Sequence, residues 1–201
     1  MKRFYFIIAI VVSAIGMSAQ GFEYRVEAGL NLTRDVDDTH LNPGFNIGGV
    51  AEYNFNSHWF VDAGLKFSNR TKYIYWWIDE TDTVHQYGLM LPIHAGYKFK
   101  VSNNVKLWAS LGGYAGLGLY SNITSTYKPD ETGNLYGKGL RRYEVGLSGV
   151  IGAEYKKHYT MSLGADMQTN DPLNYNYPTI PNALMALNQL WTFSINIGYK
   201  F

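Results

Sequence analysis

The sequence predicts an all-β protein, an eight-stranded antiparallel up-and-down β-barrel that spans a membrane with its strands. Three observations predict this fold. Apolar and polar residues alternate along about eight segments, tight turns and long loops alternate between those segments, and aromatic residues collect at the segment ends. The composition agrees, since 16% of the residues are aromatic, 16% are charged and 21 are glycine. Such a chain suits a β-protein whose outer surface is not in contact with water.

Each of the eight segments is close to the 9–11 residues that a tilted strand needs to cross a bilayer. The first shows the alternation best, with Phe22, Tyr24 and Val26 on one face and Glu23 and Arg25 on the other. The eight predicted strands are residues 22–32, 45–55, 59–67, 87–99, 105–119, 143–155, 159–167 and 191–201.

The connections differ in length in a regular way. Tight turns are predicted at Asn56-Ser57-His58, Ser102-Asn103-Asn104 and Lys156-Lys157-His158. Long loops are predicted at residues 35–44, 69–85, 121–141 and 169–190. Outer-membrane barrels have short periplasmic turns and longer extracellular loops, and an even strand number places both termini in the periplasm.

The face that carries the apolar residues is predicted to point outward, into lipid. Aromatic residues form two bands around an aliphatic belt, as the two water–lipid interfaces select. Most glycines fall on the polar face, where the narrow interior of an eight-stranded barrel needs small side chains. A soluble barrel with an apolar interior is the alternative, but it explains the two aromatic bands poorly.

The N-terminal segment reads as a signal peptide. Lys2 and Arg3 precede an apolar run at residues 4–15, and Ser18-Ala19-Gln20 supplies small residues at a cleavage point. The run is shorter than the roughly 20 residues of a spanning helix, which argues against a membrane anchor. We therefore predict a cleaved signal peptide at residues 1–19 and a barrel domain at residues 20–201.

Length, charge and cysteine content exclude several classes of protein. The 201 residues suffice for one domain, and a net charge of +1 offers no basic field for nucleic acid. The chain has no cysteine, which excludes disulfides, thiolate metal sites, a cysteine nucleophile and a lipoprotein anchor.

Several stretches resemble a known family. They are Tyr87-Gly88-Leu89-Met90-Leu91-Pro92, Gly96-Tyr97-Lys98-Phe99, Gly112-Gly113-Tyr114-Ala115-Gly116, Arg142-Tyr143-Glu144-Val145-Gly146-Leu147, Gly152-Ala153-Glu154-Tyr155 and Gly198-Tyr199-Lys200-Phe201. The mature chain resembles the small outer-membrane β-barrel proteins of Bacteroidetes, the porin-family or PorT-like proteins. The resemblance implies an outer-membrane location, with outer-membrane lipid and the barrel-assembly machinery as partners. Phe201 and Tyr199 resemble the C-terminal aromatic signal by which such barrels are recognised for assembly.

Charges on the lumen face are predicted to form an internal plug. The acids are Glu23, Glu52, Asp62 and Glu154, and the bases are Arg25, Lys98, Lys106 and Lys200. Charges in a narrow, poorly hydrated space are costly unless they are paired, so the balance favours salt bridges. The alternative, a selective pore or proton path, would favour a ring of one sign. Strand adjacency makes Arg25 the first candidate partner of Glu52.

The histidines raise the alternative of a lipid-modifying enzyme, which needs a histidine, a hydroxyl and a carboxylate that converge. His58 and His158 fall in turns, His94 points into the lumen, and His40 and His85 lie in or beside outer loops. No motif indicates a triad, so no enzymatic activity, cofactor or metal site is predicted. The acidic run at residues 35–38 lacks the glycine and terminal glutamate of an EF-hand.

The outer loops are the predicted location of function. Tyr73, Tyr75, Trp76 and Trp77 belong to a stretch that is apolar on both faces, and the last loop is also apolar. These residues either pack together as a cap, which we favour, or form an interaction surface. The sequence predicts an integral outer-membrane barrel with a structural or surface-interaction role toward an unidentified extracellular or periplasmic partner. The rivals are a small-solute pore and a lipid-modifying enzyme.

Overall fold

The computed structural model describes residues 21–35, 41–77, 80–125, 134–137, 140–173 and 190–201, with the backbone alone at residues 35, 72–77, 80–82 and 125. The predicted signal peptide lies outside the described residues. The strands are β1 (Phe22–Asp35), β2 (Asn42–Asn54), β3 (Trp59–Trp77), β4 (Glu80–Lys100), β5 (Val105–Ser125), β6 (Tyr143–Tyr155), β7 (Tyr159–Gln168) and β8 (Leu190–Lys200). A short 3₁₀ helix, Leu135–Gly137, lies between β5 and β6.

The eight strands form a closed antiparallel barrel in the order β1 to β8, which confirms the predicted fold class. Each strand pairs with the next, and β1 closes the barrel against β8, with Ala28 opposite Ile197. Closure satisfies the backbone hydrogen bonds of every strand without a sheet edge exposed to lipid. Among the described residues, no helix is long and apolar enough to cross a membrane.

Burial alternates along the strands as predicted, with the apolar face outside. Leu111 is 76% exposed and Ile197 69%, whereas Glu52 is 4% exposed and Lys200 3%. A polar interior and an apolar exterior are typical of a barrel whose solvent is lipid. The lumen is therefore the place where polar chemistry is concentrated.

Aromatic rings contact one another at both ends of the apolar belt. At the turn end, the Tyr97 ring lies 5.0 Å from Trp59 and 4.8 Å from Phe99. At the loop end, a row of rings crosses four strands at spacings of 6.1–6.4 Å, through Phe45, Phe67, Tyr87 and Tyr120. These two bands correspond to the predicted interfaces.

Four aromatic side chains project into the lumen, and each packs against a glycine. We call these the ring–glycine pairs: Phe60 with Gly96, Trp108 with Gly152, Tyr114 with Gly146, and Tyr136 with Gly118. In every pair, a Cβ added to the glycine would overlap the ring. The glycines of the inner face therefore make room for large rings inside a narrow barrel.

The predicted loop at residues 69–85 is wrong, because β3 and β4 continue through most of it and leave two residues between them. The β5 strand likewise continues to Ser125. Beyond the loop-end aromatic row, the outer face of the β3–β4 hairpin no longer contacts lipid. The two strands remain hydrogen-bonded there, although their residues do not alternate between apolar and polar. The predicted loop residues therefore lie in β3: Tyr73, Tyr75, Trp76 and Trp77. The structure describes their backbone but not their side chains.

Candidate functional site in the lumen

The turn end of the lumen contains a compact group of acids and lysines. We call Glu23, Glu52, Glu154, Lys98, Lys106 and Lys200 the periplasmic charge network. The Lys98 ammonium group bonds the Glu52 carboxylate and lies 3.4 Å from Glu23. The network brings together six of the eight residues that were predicted to form the plug.

Lys200 is the centre of this network. Its Nζ atom lies 2.6 Å from Glu23, 2.5 Å from Glu154 and 3.4 Å from Glu52. Lys106 is more exposed and lies 3.5 Å from Glu154. Lys200, Lys98, Glu52 and Glu154 are buried, and ions in such a place are stable only with partners of opposite charge.

Arg25 and Asp62, the other two predicted members, have different partners. Arg25 Nε donates to Glu27 at 2.9 Å, and Lys66 Nζ lies 2.5 Å from the same carboxylate. The expected Arg25–Glu52 contact is wrong, because the register places Arg25 opposite Val50 and the next inward carboxylate on its own strand is closer. Glu27 and Lys66 were not predicted as members of the plug, although both lie on the inward-facing side of their strands.

Four side chains form a hydrogen-bonded chain across the middle of the lumen. His94 Nδ1 lies 2.9 Å from Asp62 Oδ1, and His94 Nε2 lies 2.9 Å from Ser148 Oγ. Ser148 Oγ donates to Asp166 Oδ1 at 2.5 Å. We call Asp62, His94, Ser148 and Asp166 the His94 chain. It contains the acid, histidine and hydroxyl of a hydrolase triad, so its access to a substrate decides what it can do.

A serine nucleophile must give its proton to an imidazole and must also reach its substrate. Ser148 Oγ lies between His94 and Asp166. Asp62, His94 and Ser148 are each 5% exposed, which leaves the hydroxyl no access to a substrate. This arrangement favours a structural hydrogen-bond chain.

Toward the loop end, Arg70 forms a bidentate ion pair with Glu144. The two guanidinium nitrogens donate to the carboxylate oxygens at 2.8 and 2.5 Å, and Tyr114 donates to the same carboxylate at 2.5 Å. Gln86 and Gln168 line a cavity of about 20 Å³ beside this pair. That volume holds about one water molecule, which is too little for a substrate.

Asn31 marks the point where β2 separates from β3. The β2–β3 register ends at Phe45 and Asn69, and Asn31 Nδ2 donates to the backbone oxygens of both residues at 3.1 and 3.2 Å. The same nitrogen reaches Ser68 Oγ at 3.0 Å, and Asn46 donates to Asn31 Oδ1 at 2.8 Å. The amide thus satisfies polar groups that the strand ladder leaves open.

Apolar side chains close the loop end of the lumen. We call them the cap cluster: Val84, Ile123, Leu135, Tyr136, Leu140 and Leu173. Two members belong to the extended β4–β5 hairpin, and the others come from the connections before β6 and after β7. Leu140 and Leu173 form an isolated antiparallel bridge, and Arg141 donates to the Leu173 oxygen at 3.0 Å. Leu173 was predicted for a cap; the other five were missed because apolar residues in connections have no periodicity.

Tyr136 is the polar member of the cap cluster. Burial raises the pKa of its phenol to about 12, because the charged form would lose its contact with water. The Arg142 guanidinium lies 5.5 Å from the centre of its ring. The phenol therefore remains neutral in the cap at physiological pH.

The remaining histidines do not converge with acids and hydroxyls in the described part of the chain. His85 lies in β4 with its Nδ1 atom 3.1 Å from Thr71 Oγ1, and His58 and His158 lie in turns, as predicted. His40 is outside the described residues. Among the described side chains, no three histidines or acids form a group that could bind a metal ion.

Comparison with known protein families agrees with this architecture. The family model of the outer membrane protein beta-barrel domain matches residues 6–201. The chain belongs to this family. Membership in the outer membrane protein beta-barrel family implies a location in the outer membrane, and it gives the turn end and the loop end of the barrel their periplasmic and extracellular directions.

Several solved structures share the fold. Ail, the attachment invasion locus protein of Yersinia pestis, is 16% identical, with 91% of this chain and all of Ail covered and a TM-score of 0.44. OprG of Pseudomonas aeruginosa is 15% identical, with 90% and 96% covered and a TM-score of 0.48. The Neisserial surface protein NspA is 12% identical, with the same coverages and the same TM-score. A search of curated proteins finds no match.

Proposed function

We propose that this barrel conducts no ions and has a structural or surface-interaction role in the outer membrane, carried by its extracellular end. The observation that supports the proposal most directly is the periplasmic charge network. Lys200 and Lys98 reach across the lumen to three carboxylates contributed by different strands, so ion pairs occupy the path that a solute would take.

Two further layers above this network support the same function. The His94 chain joins β3, β4, β6 and β7 across the middle of the lumen, and the Arg70–Glu144 pair joins β3 to β6 nearer the loop end. The charges alternate in sign, whereas an ion-selective pore favours a ring of one sign. With the lumen occupied, we assign the surface-interaction role to the extracellular end of the barrel.

Planar bilayer recording tests the proposal. The purified wild-type barrel should pass no steady current under conditions where a water-filled porin, inserted in the same bilayer, conducts. A stable, ion-selective current through the wild type would replace this function with that of a small-solute pore.

The lipid-modifying enzyme is tested through the His94 chain. Incubation of the reconstituted protein with labelled outer-membrane lipids should release no product. If the wild type releases labelled acyl groups, and both Ser148→Ala and His94→Gln abolish that release, our proposal that the protein is not an enzyme is contradicted.

Two predictions about export and assembly belong to the same proposal. We expect cleavage after Ala19, which N-terminal sequencing of the membrane-inserted protein measures. We expect Phe201 and Tyr199 to contribute to recognition by the barrel-assembly machinery, so that Phe201→Ala lowers the fraction of chains that migrate as folded barrels on unheated gels. The proposed relationship of this protein to the porin-family, PorT-like proteins rests on the sequence resemblance.

A further inference from the structure

The outer wall of the barrel has a concave apolar region near its periplasmic end. This outer groove is open on its outer side, has a volume of about 470 Å³ and is lined by the outward side chains Val26, Ala28, Ile47, Tyr159, Ile197 and Tyr199. The register explains the depression, because Ala28 lies between Ile47 and Ile197, and the next outward pair places Gly49 opposite Val26. Small residues at the centre and larger ones around them make a groove instead of a flat wall.

The groove ends at the most basic of the three periplasmic turns. Lys156, Lys157 and His158 directly precede Tyr159, and all three are exposed. The His158 ring stacks on Tyr199, a lining residue, at 5.4 Å and 10°. His158 Nδ1 lies 2.9 Å from the Lys200 backbone oxygen and donates to it, which holds the ring against Tyr199.

The backbone of this turn gives an independent reason to single it out. Lys156 and Lys157 have φ values of 49° and 66°, in the left-handed region that such tight turns usually fill with asparagine or glycine. The other two turns, Asn56-Ser57-His58 and Ser102-Asn103-Asn104, contain no lysine. Lysines are thus present at the two positions where turn geometry disfavours them, beside the groove.

We propose that the outer groove and this turn together bind one anionic diacyl phospholipid of the periplasmic leaflet. The acyl chains occupy the apolar groove, and the phosphate meets Lys156 and Lys157 at the level of the aromatic band. Lysines at a membrane surface attract anionic lipid, and tyrosines are the residues that prefer this interface.

The acids near the site do not oppose this charge preference. Glu27 lies behind the groove, where Arg25 and Lys66 neutralise it inside the lumen. Glu154 precedes the turn but points inward, where it pairs with Lys200. The charge that faces the headgroup is that of the lysines.

Native mass spectrometry of the full mature barrel tests the proposal with two probes that share the same acyl chains, phosphatidylglycerol and phosphatidylcholine. The wild type should retain one phosphatidylglycerol in preference to phosphatidylcholine. The double variant Lys156→Gln/Lys157→Gln should lower the affinity for phosphatidylglycerol by roughly 30-fold, because each lysine near an anionic surface contributes roughly fivefold. Equal retention of the two lipids by the wild type would overturn the proposal.

Matched variants on the opposite wall separate a site from general surface charge. Lys100, at the periplasmic end of β4, is four strands away from β8 around the barrel, so Lys100→Gln should leave the preference unchanged while Lys157→Gln weakens it. Ala28→Phe fills the groove and should release both lipids, whereas Ala115→Phe should not. If the variants on the two walls change lipid retention equally, the proposal is overturned. A conducting lumen would contradict the proposed function but not this lipid site, because the groove lies on the outside of the barrel.

Discussion

The two ends of the lumen are closed by different interactions. At the periplasmic end, buried lysines and glutamates neutralise one another, with Lys200 in contact with three carboxylates. At the extracellular end, the cap cluster excludes water with apolar side chains. Ion pairs in a low-dielectric space depend on every partner, whereas apolar contacts lose stability in proportion to the area removed. The same barrel is therefore sensitive to single changes at one end and more tolerant at the other.

Hydrogen bonding also differs between the two ends. Among the described residues, most of the buried polar atoms that lack a partner lie in the extracellular half, including oxygens of Thr33, Asn46 and Thr192, whereas Ser110 lies nearer the turn end and Asn196 near the middle of the barrel. In the described part of the chain, no atom of the periplasmic charge network is among them. The polar groups of the periplasmic end are thus the more completely paired, and the following predictions test that difference, from the largest effect to the smallest.

The largest effect is expected at the periplasmic end. Glu52→Ala should lower the free energy of unfolding by about 3–5 kcal/mol, because it leaves Lys98 without its closest carboxylate in a buried site. Urea titration of the barrel in lipid vesicles measures the change. The double variant Glu52→Ala/Lys98→Ala should recover part of the loss, and a loss below about 1 kcal/mol would show that the network is not a tightly paired unit.

Shortening a cap residue should act locally. Leu135 is 1% exposed, and Leu135→Ala should destabilise the cap by about 2–3 kcal/mol through lost contacts and a residual cavity. Hydrogen exchange of the Leu140 amide, which bonds the Leu135 oxygen at 3.1 Å, should become faster, while the urea midpoint of the barrel changes little. A drop in the midpoint as large as that of Glu52→Ala would mean that the two ends unfold as one.

A smaller effect is expected where β2 leaves β3. Asn31→Ala should cost about 1–2 kcal/mol in unfolding free energy, since it removes the two N–H donors that three acceptors share. Asn46→Ala, which removes one bond to Asn31, is the matched control and should cost less. If Asn46→Ala lowers the unfolding free energy as much as Asn31→Ala does, the loss comes from removing any buried amide and not from the point where β2 separates from β3.

The smallest effect is expected at alkaline pH. The pKa of Tyr136 is about 12 in the folded state, above its ordinary value of 10. Between these values the unfolded chain releases the proton while the folded chain keeps it, so the stability contributed by Tyr136 falls as pH rises from about 10 to about 12. Urea midpoints of wild type and Tyr136→Phe should therefore converge or cross on alkaline titration. A constant difference between them would contradict the burial of this phenol.

The sequence predicted the barrel better than the contacts inside it. Period-two alternation identified the outward face, since lipid imposes one rule on every strand. The partners of Arg25 and Asp62 could not be predicted in the same way, because parity shows that a side chain points inward but not which of several inward neighbours it bonds. Arg25 bonds Glu27 on its own strand, and Asp62 bonds His94, which lies opposite it on β4. Leu135 and Leu140 were missed for another reason: their burial depends on a hairpin that continues above the lipid, where the apolar pattern ends.

The ring–glycine pairs also bear on how the strands find their alignment during assembly. Phe60, Trp108 and Tyr114 each lie directly opposite their glycine on the adjacent strand. A slip of two residues would keep every side chain on its correct face, so burial alone would not detect the error. Such a slip would set Phe60 against His94 or Lys98, where no space exists for its ring. Three of the four ring–glycine pairs lie on β3 to β6, and we expect them to act together as a steric check on registration while the barrel closes.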